Sequence, residues 1–170
     1  TVKPYENKIV KEKLDDQNLK SISESLIFSN SGEGIMIKKD ITKGILLRGY
    51  FAKDFSKLDI VNNGNFLGSE NKLSNNSISI SKELSFSLNL EIGDEITLMS
   101  SSGVKTIIGN LPKQKKFTVV SLFDSGVIDF DNNVAFINLV TLEEFFNLKP
   151  KKRNLEIYLK NPKNLSLIHI

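Results

Sequence analysis

The 170-residue sequence contains no cysteine and only one histidine, His169. Without cysteine, neither a disulfide framework nor a thiolate metal site can form. A serine nucleophile needs a neighbouring base, and this sequence offers only that one histidine. GxSxG, Walker A and GxGxxG motifs are also missing. These absences predict a protein that is not an enzyme and that has no catalytic residues, cofactor or metal. A hydrolase with paired carboxylates is the alternative that the sequence leaves open, although no acidic residue stands out as having a raised pKa.

Long apolar runs are absent as well. No stretch reaches the roughly 18 apolar residues of a transmembrane helix, and no signal peptide is visible. Hydrophobic residues make up 39% of the sequence and include 11 phenylalanines. That composition is sufficient for the core of one domain, or of one domain with a small insertion.

The charge is nearly balanced, with 23 basic and 20 acidic residues and a net charge of +3. Basic residues cluster at residues 113–116 and 149–153. Neither cluster is interleaved with the aromatic side chains on which single-stranded nucleic acid stacks. No nucleic-acid partner is therefore expected, and the second cluster is interpreted as a solvated loop after a helix.

The segment DFDNN, residues 129–133, begins like a calcium-binding loop because oxygen ligands alternate along it. The glycine that such a loop requires is replaced by Val134, and its twelfth position is Val140, which has no carboxylate. A solvated turn is the favoured interpretation of this segment.

The hydrophobic pattern predicts an α+β domain dominated by short strands, with two or three short helices. Residues 1–10 are predicted as a strand and residues 11–26 as a short amphipathic helix. Two or three strands follow, with a break at Gly32 and Gly34 and a tight hairpin after them. The polar residues 52–76 are predicted as a loop with one helical turn.

Ser81 is predicted to cap a helix whose apolar face holds Leu84, Phe86 and Leu88. A turn at Gly93 then introduces a strand at residues 96–98.

The strand at residues 96–98 is predicted to pair antiparallel with residues 117–120, on either side of a projecting loop. Thr141 is predicted to cap the next helix, with Glu144 at the capping-box position. A closing strand is predicted from the alternation of Leu155, Ile157 and Leu159.

The two ends of the sequence look unnatural. Residue 1 is Thr1, and the last six residues, LSLIHI, resemble a translated transposase adapter of the kind used in sequencing libraries. The native sequence is then expected to stop near Asn164, with a genuine apolar strand as the alternative. On either interpretation, no catalytic role is expected for His169.

Three segments in this order resemble the extracytoplasmic domain of the lipoprotein-releasing ABC transporter permeases, the LolC and LolE family. They are GILLRGYF, the stretch SISISKELSFSLNLEIGDEITLMS, and GNLPKQKKFTVVSLFDSGVIDFDNNVAFINL. The likeness covers roughly residues 45–162. Its most specific parts are a helix followed by Leu-x-x-Gly-Asp-x-Ile, and the Phe-Thr-Val-Val strand that ends at Ser125 and Gly126.

The resemblance implies a MacB-like periplasmic core domain. In this fold a strand-rich Sabre part is inserted in a Porter part of βαβ units, here incomplete. Residues 1–48 would be the first Porter part, and residues 49–150 the Sabre part, with a projecting β-hairpin hook at about 99–117. Residues 151–164 would start the second Porter part, and residues 165–170 would be the adapter translation.

In LolC the corresponding hairpin is a hook that grips the periplasmic chaperone LolA, beside a polar pad. The family's Gly-x-Ile-Pro-x-Gln-Arg pattern is matched, with conservative changes, by Gly109, Leu111, Pro112, Gln114 and Lys115. The resemblance therefore implies hook residues Val104, Ile107, Ile108, Gly109, Leu111 and Pro112, and pad residues Thr97, Gln114 and Lys115. Thr97 departs from the family pattern, which has arginine there.

The segment DSGVIDFDNNVAFINL looks more like LolE. A mixture of the two characters is expected of systems in which one permease plays both roles as a homodimer.

The resemblance implies a domain on the periplasmic face of the bacterial inner membrane. Its expected partners are a LolA-like chaperone, a LolD-like ATPase subunit, a second permease subunit and the lipoprotein. The alternatives are a MacB-like exporter, an FtsX-like regulator, or a β-rich binding protein that is not an enzyme.

Overall fold

The computed structural model describes residues 23–62, 64–69, 73–107 and 109–160. It describes only the backbone of residues 101, 104–106 and 110. Two compact units are present. The described part of the first unit comprises residues 23–29 and 149–160. The second unit comprises residues 30–148. The predicted strand at residues 1–10 and most of the predicted helix at 11–26 lie outside the described residues.

Eight strands and several short helices make up the described chain, which confirms the predicted α+β class. In chain order the elements are β1 Ser23–Lys38, β2 Ile41–Tyr50, α1 Ala52–Phe55, α2 Asp59–Asn62, β3 Leu67–Gly68, β4 Ser77–Ser81, α3 Lys82–Leu88, β5 Glu95–Thr106, β6 Gly109–Phe123, α4 Ile128–Asn133, β7 Val134–Asn138, α5 Leu139–Phe146, a 3₁₀ turn Pro150–Lys152 and β8 Asn154–Leu159. Among the described helices, none combines the length and hydrophobicity needed to cross a membrane.

The first unit pairs the start of β1 with β8 in an antiparallel ladder. Leu155 is buried as predicted, whereas Ile157 and Leu159 are only half-buried. The neighbouring Glu156 is buried and accepts hydrogen bonds from the hydroxyls of Ser29 and Tyr158. The predicted strand is confirmed, but the simple alternation of apolar and polar faces is wrong because two hydroxyl donors satisfy a buried carboxylate.

The second unit is a ring of six strands that closes on itself, in the order β1, β2, β7, β4, β6, β5 and back to β1. The β2–β7 and β4–β6 pairs are parallel, and the other four are antiparallel. Leucine, isoleucine and phenylalanine side chains fill its core together with one face of α5. That face presents Leu142, Phe145 and Phe146.

A separate aromatic cluster is centred on Phe136 of β7. Its ring lies 5.0 Å from that of Phe123, 5.3 Å from Phe55 and 5.8 Å from Tyr50, measured between centroids. The rings are tilted by 50–59° and so avoid the face-to-face sandwich that aromatic pairs disfavour. The cluster holds α1 against β2, β6 and β7.

Strand β1 contradicts two predictions. Residues 23–26, predicted as the end of a helix, are strand, and no break occurs at Gly32 or Gly34. A Cβ atom at Gly32 would lie 2.6 Å from the ring of Phe146, and one at Gly34 would lie 2.9 Å from the Met99 carbonyl oxygen. These glycines allow close packing inside a continuous strand, which explains their presence without a turn.

The predicted start of α3 is confirmed. The Ser81 hydroxyl accepts a hydrogen bond from the Leu84 amide at 3.0 Å. Leu84 and Leu88 are buried, but Phe86 is 87% exposed, so the predicted apolar face is wrong at that residue. At α5 the cap is Asn138, whose side chain accepts from the amide of residue 140, and not Thr141.

Candidate partner-binding hairpin

The hairpin of β5 and β6 starts inside the ring and leaves it. Ile96 pairs with Phe117, which confirms the predicted antiparallel pairing. On β5 the ladder to β1 ends at Ser100, while the ladder to β6 resumes at Gly103. A register shift lies between Met99 and Gly103. Bulges generally bend a strand, and this one lies where β5 leaves its ladder with β1.

The part of the hairpin beyond this bulge, residues 103–112, is called the distal hairpin below. Its two strands pair with each other from Gly103 opposite Pro112 to Thr106 opposite Gly109. The structure has the projecting β-hairpin that the resemblance implies, with strands that continue almost to the tip in place of a long loop. Only residues 107 and 108 separate them.

The tip of the distal hairpin carries Ile107, whose side chain is fully exposed. Ile108 lies outside the described residues, and the side chain of Val104 is likewise not described. Gly109 has a φ of 121°, a backbone conformation that glycine adopts with little strain. Leu111 is 51% exposed.

Pro112 is exposed on the outgoing arm, opposite Gly103. Because proline has no N–H to donate, it removes one donor from the edge of this two-stranded ribbon. The missing donor discourages unspecific strand pairing there.

The predicted pad residues lie on the two different faces of the hairpin. Gln114 pairs with Met99, two residues from Thr97, so that Thr97 and Gln114 share a face. Lys115 pairs with Leu98 and belongs to the opposite face. The structure thus brings two of the three predicted pad residues together on one face.

Lys115 is half-buried at the edge of the core. Its Nζ donates to the carbonyl oxygen of Asn75 at 3.1 Å and lies 5.5 Å from the centroid of the Phe117 ring. A cation above an aromatic face is attracted by the ring quadrupole. On the other face, the Gln114 amide lies 3.6 Å from the Met99 sulfur.

A shallow pocket of about 240 Å³ lies beside Lys115, between β6 and α5. It is lined by Lys113, Gln114, Lys115, Thr141, Glu144 and Phe145. Thr141 was predicted as a helix cap; instead its hydroxyl donates to the carbonyl of Asn75 at 3.1 Å. Sequence reasoning missed the α5 side of this pocket because only the fold brings residues 141–145 next to β6.

The turn before β5 is stabilised by a charged group. The Asp94 carboxylate accepts from the Glu91 amide at 3.2 Å and from the Lys38 Nζ at 3.3 Å. These hydrogen bonds, with the positive charge of Lys38, hold the pKa of Asp94 below its ordinary value. Gly93, with a φ of 101°, forms the predicted turn.

The segment DFDNN is not the solvated turn that was predicted. Residues 128–133 form α4, and Asp131 is buried, with its carboxylate accepting from the Ser125 amide and hydroxyl. These donors occupy the oxygens that a cation would need. Within the described part of the chain, no three histidine or acidic side chains are grouped as metal ligands.

Comparison with known sequences gives partial relatives. No family model matches the chain. The LolC lipoprotein-releasing system transmembrane protein of Neisseria meningitidis is 31% identical over 81 residues, 48% of this chain and 20% of its own length. LolC of Xylella fastidiosa strain Temecula1 is 30% identical over 71 residues, 42% of this chain and 17% of its own. An uncharacterized membrane protein of Buchnera aphidicola is 28% identical over 145 residues, 82% of this chain and 33% of its own. The chain spans a third or less of these relatives.

Two solved structures share the fold. The periplasmic region of MacB from Actinobacillus actinomycetemcomitans covers 92% of this chain with a TM-score of 0.56 and 14% identity, and 65% of its own chain is matched. The extracellular domain of the ABC-type transporter YknZ from Gram-positive bacteria covers 96% of this chain with a TM-score of 0.55 and 12% identity, and 79% of its own chain is matched.

Proposed function

We propose that this chain, which has the MacB-like periplasmic fold and resembles LolC over part of its length, captures a LolA-like chaperone through its distal hairpin. The complete protein would be the permease of an ABC transporter that releases lipoproteins from the inner membrane. The domain would lie on the periplasmic face of that membrane and pass the lipoprotein to the chaperone.

The exposure of Ile107 is the observation that carries this proposal. A large aliphatic side chain at the tip of a projecting hairpin has no core to enter. Leu111, half-exposed on the outgoing arm, extends the apolar surface. Exposed apolar groups on a protruding element mark interaction sites, and a few central residues usually carry most of the binding energy.

The pad residues would act beside this anchor. Thr97 and Gln114 offer polar groups on one face, and the ammonium group of Lys115 lies at the edge of the other. Rim charges mainly raise the rate of encounter with an acidic partner. Threonine in place of the family's arginine at residue 97 would make this steering weaker than in LolC.

The remaining partners would act outside the described residues. ATP hydrolysis would reside in a separate LolD-like subunit, a second permease subunit would complete the transporter, and the chain itself would have no enzymatic role. The compact unit of residues 30–148 contains nearly all of the segment 49–150 that the resemblance assigns to the Sabre part. The predicted boundaries at residues 48 and 150 stay predictions.

The test is binding of this chain to a cognate LolA-like chaperone. Replacing Ile107 by Asp, or the neighbouring Ile108 by Asp, should reduce affinity at least tenfold, about 1.4 kcal/mol. Phe86→Asp is the matched control, since it places the same charge at another exposed aromatic or aliphatic side chain, on α3. Folding should be nearly unaffected by all three changes.

Two results would contradict the proposal. If the Ile107→Asp variant binds the chaperone as tightly as the parent does, the tip is not the anchor. Equal loss of binding in Phe86→Asp would mean that added negative charge, and not the loss of an apolar contact, is responsible. Thermal unfolding of the same variants excludes a trivial loss of folded protein.

A further inference from the structure

Both strands of the hairpin are attached to the C-terminal turn of α5 at the point where the hairpin leaves the ring. On β5, the buried Ser100 hydroxyl lies 3.2 Å from the carbonyl oxygen of Phe145 and 2.7 Å from that of Ser102. Ser100 is also the last β5 residue in the ladder to β1. One attachment therefore sits at the very edge of the ring.

The second attachment comes from β6. The Lys113 Nζ donates to the carbonyl oxygen of Glu144 at 2.7 Å and to the Asn147 side-chain oxygen at 2.6 Å. The last carbonyls of a helix lack intrahelical partners and carry partial negative charge. A lysine ammonium group there satisfies them and is electrostatically favourable. Asn147 itself has a φ of 55° and ends the helix.

Ser100 lies within the bulge between Met99 and Gly103, and Lys113 lies opposite that bulge on β6. A two-stranded ribbon has little stability of its own, and a bulge at its base gives it a place to bend. The distal hairpin needs an external support if it is to point in one direction. The C-terminal turn of α5 contacts both strands at this point.

We infer that the C-terminal turn of α5 is a clamp that fixes the direction of the distal hairpin, with Ser100, Lys113 and Asn147 as its positioning residues. The clamp itself does not depend on the proposed function; only its expected effect on chaperone binding rests on that proposal. An anchor held in the binding-competent orientation binds more tightly than one that samples many orientations, because affinity scales with the competent fraction.

The direct test measures the orientation of the hairpin without a partner. Because the sequence has no cysteine, cysteines introduced at Ile107 and at the exposed Glu83 of α3 can be spin-labelled specifically. Pulsed electron paramagnetic resonance then gives the distribution of distances between tip and ring. Lys113→Met and Asn147→Gly should broaden this distribution, and glycine keeps the left-handed backbone that residue 147 requires.

Two matched variants should leave the distribution unchanged. Lys116→Met removes the same charge from the same strand but disrupts only an exposed ion pair with Glu95. Asn147→Asp keeps an acceptor oxygen for Lys113. In the chaperone assay, Lys113→Met should bind about threefold more weakly if the fraction of molecules with a correctly oriented hairpin falls to about one third.

The inference is overturned if both Lys113→Met and Asn147→Gly keep the narrow distribution. It is equally overturned if broadening comes with a large fall in melting temperature, because the contacts would then support the whole ring. Failure of the proposed function is a separate outcome, since it would appear as normal chaperone binding by Ile107→Asp and would not alter the distance distributions.

Discussion

The two ends of a single hairpin differ in what stabilises them. Around Phe117 each strand of the hairpin pairs with another strand on both of its edges, and the Phe117 side chain is 1% exposed. In the distal hairpin the strands pair with each other, and Ile107 and Leu111 face solvent. The same secondary structure therefore serves as a core element at one end and as a presented surface at the other. Strand pairing alone does not tell which residues a fold depends on.

The largest expected effect contrasts two residues of β6. Phe117→Ala should lower the free energy of unfolding by about 3–5 kcal/mol, because it empties a core position packed edge-on against Phe145. Leu111→Ala, on the same strand, should change it by no more than about 0.5 kcal/mol. Urea unfolding of both variants measures the difference. Similar losses in both would mean that the distal hairpin is part of the core.

A smaller effect concerns the pad. Lys115→Glu should slow association with the chaperone several-fold and weaken its dependence on salt, since steering by rim charges is screened by ions. Lys53→Glu makes the same charge change at an exposed residue of α1 and serves as control. Stopped-flow association at several salt concentrations distinguishes them. Equal rates for the two variants at low salt would remove Lys115 from the pad.

The smallest expected effect is a pH dependence at the turn before β5. Because folding lowers the pKa of Asp94, its contribution to stability is present above the ordinary value of 3.8 and is lost as pH falls through the lowered value. Asp94→Asn should therefore melt at a lower temperature than the parent near neutral pH, with a gap that closes in acid. A gap independent of pH would assign the effect to the lost hydrogen bonds instead of the charge.

Local sequence signals predicted the features that depend on neighbouring residues. Ser81 as a cap and Gly93 as a turn follow from short-range chemistry, and the antiparallel pairing of strands 96–98 and 117–120 follows from two strand-like runs on either side of a turn segment. The family resemblance supplied the MacB-like fold, which the structural comparisons confirm.

The predictions that were wrong concern features that depend on residues far apart in the sequence. Gly32 looked like a strand break because the ring of Phe146, which needs the space, is more than a hundred residues away. Thr141 and Asn138 are both good capping residues. The structure shows that the Thr141 hydroxyl is used in a hydrogen bond to the Asn75 carbonyl oxygen, so Asn138 caps the helix. The strand β4 was missed because its serines look polar, although all five of its residues are buried between β6 and β7.

The pad illustrates a further limit. Gln114 and Lys115 are adjacent in sequence and were assigned to one surface by the family pattern. In an extended strand adjacent side chains point to opposite faces. The two residues therefore present separate faces of the hairpin, and Thr97 shares only that of Gln114.

Site-specific photo-crosslinking tests the central claim most directly. A benzoylphenylalanine placed at residue 107 of this chain should crosslink to a cognate LolA-like chaperone on irradiation, because the claim puts this side chain inside the interface. The same probe in place of Phe86, which is also exposed, should give no adduct above background. Equal adducts at both residues, or an adduct at residue 86 alone, would contradict the assignment of the distal hairpin as the chaperone-binding element.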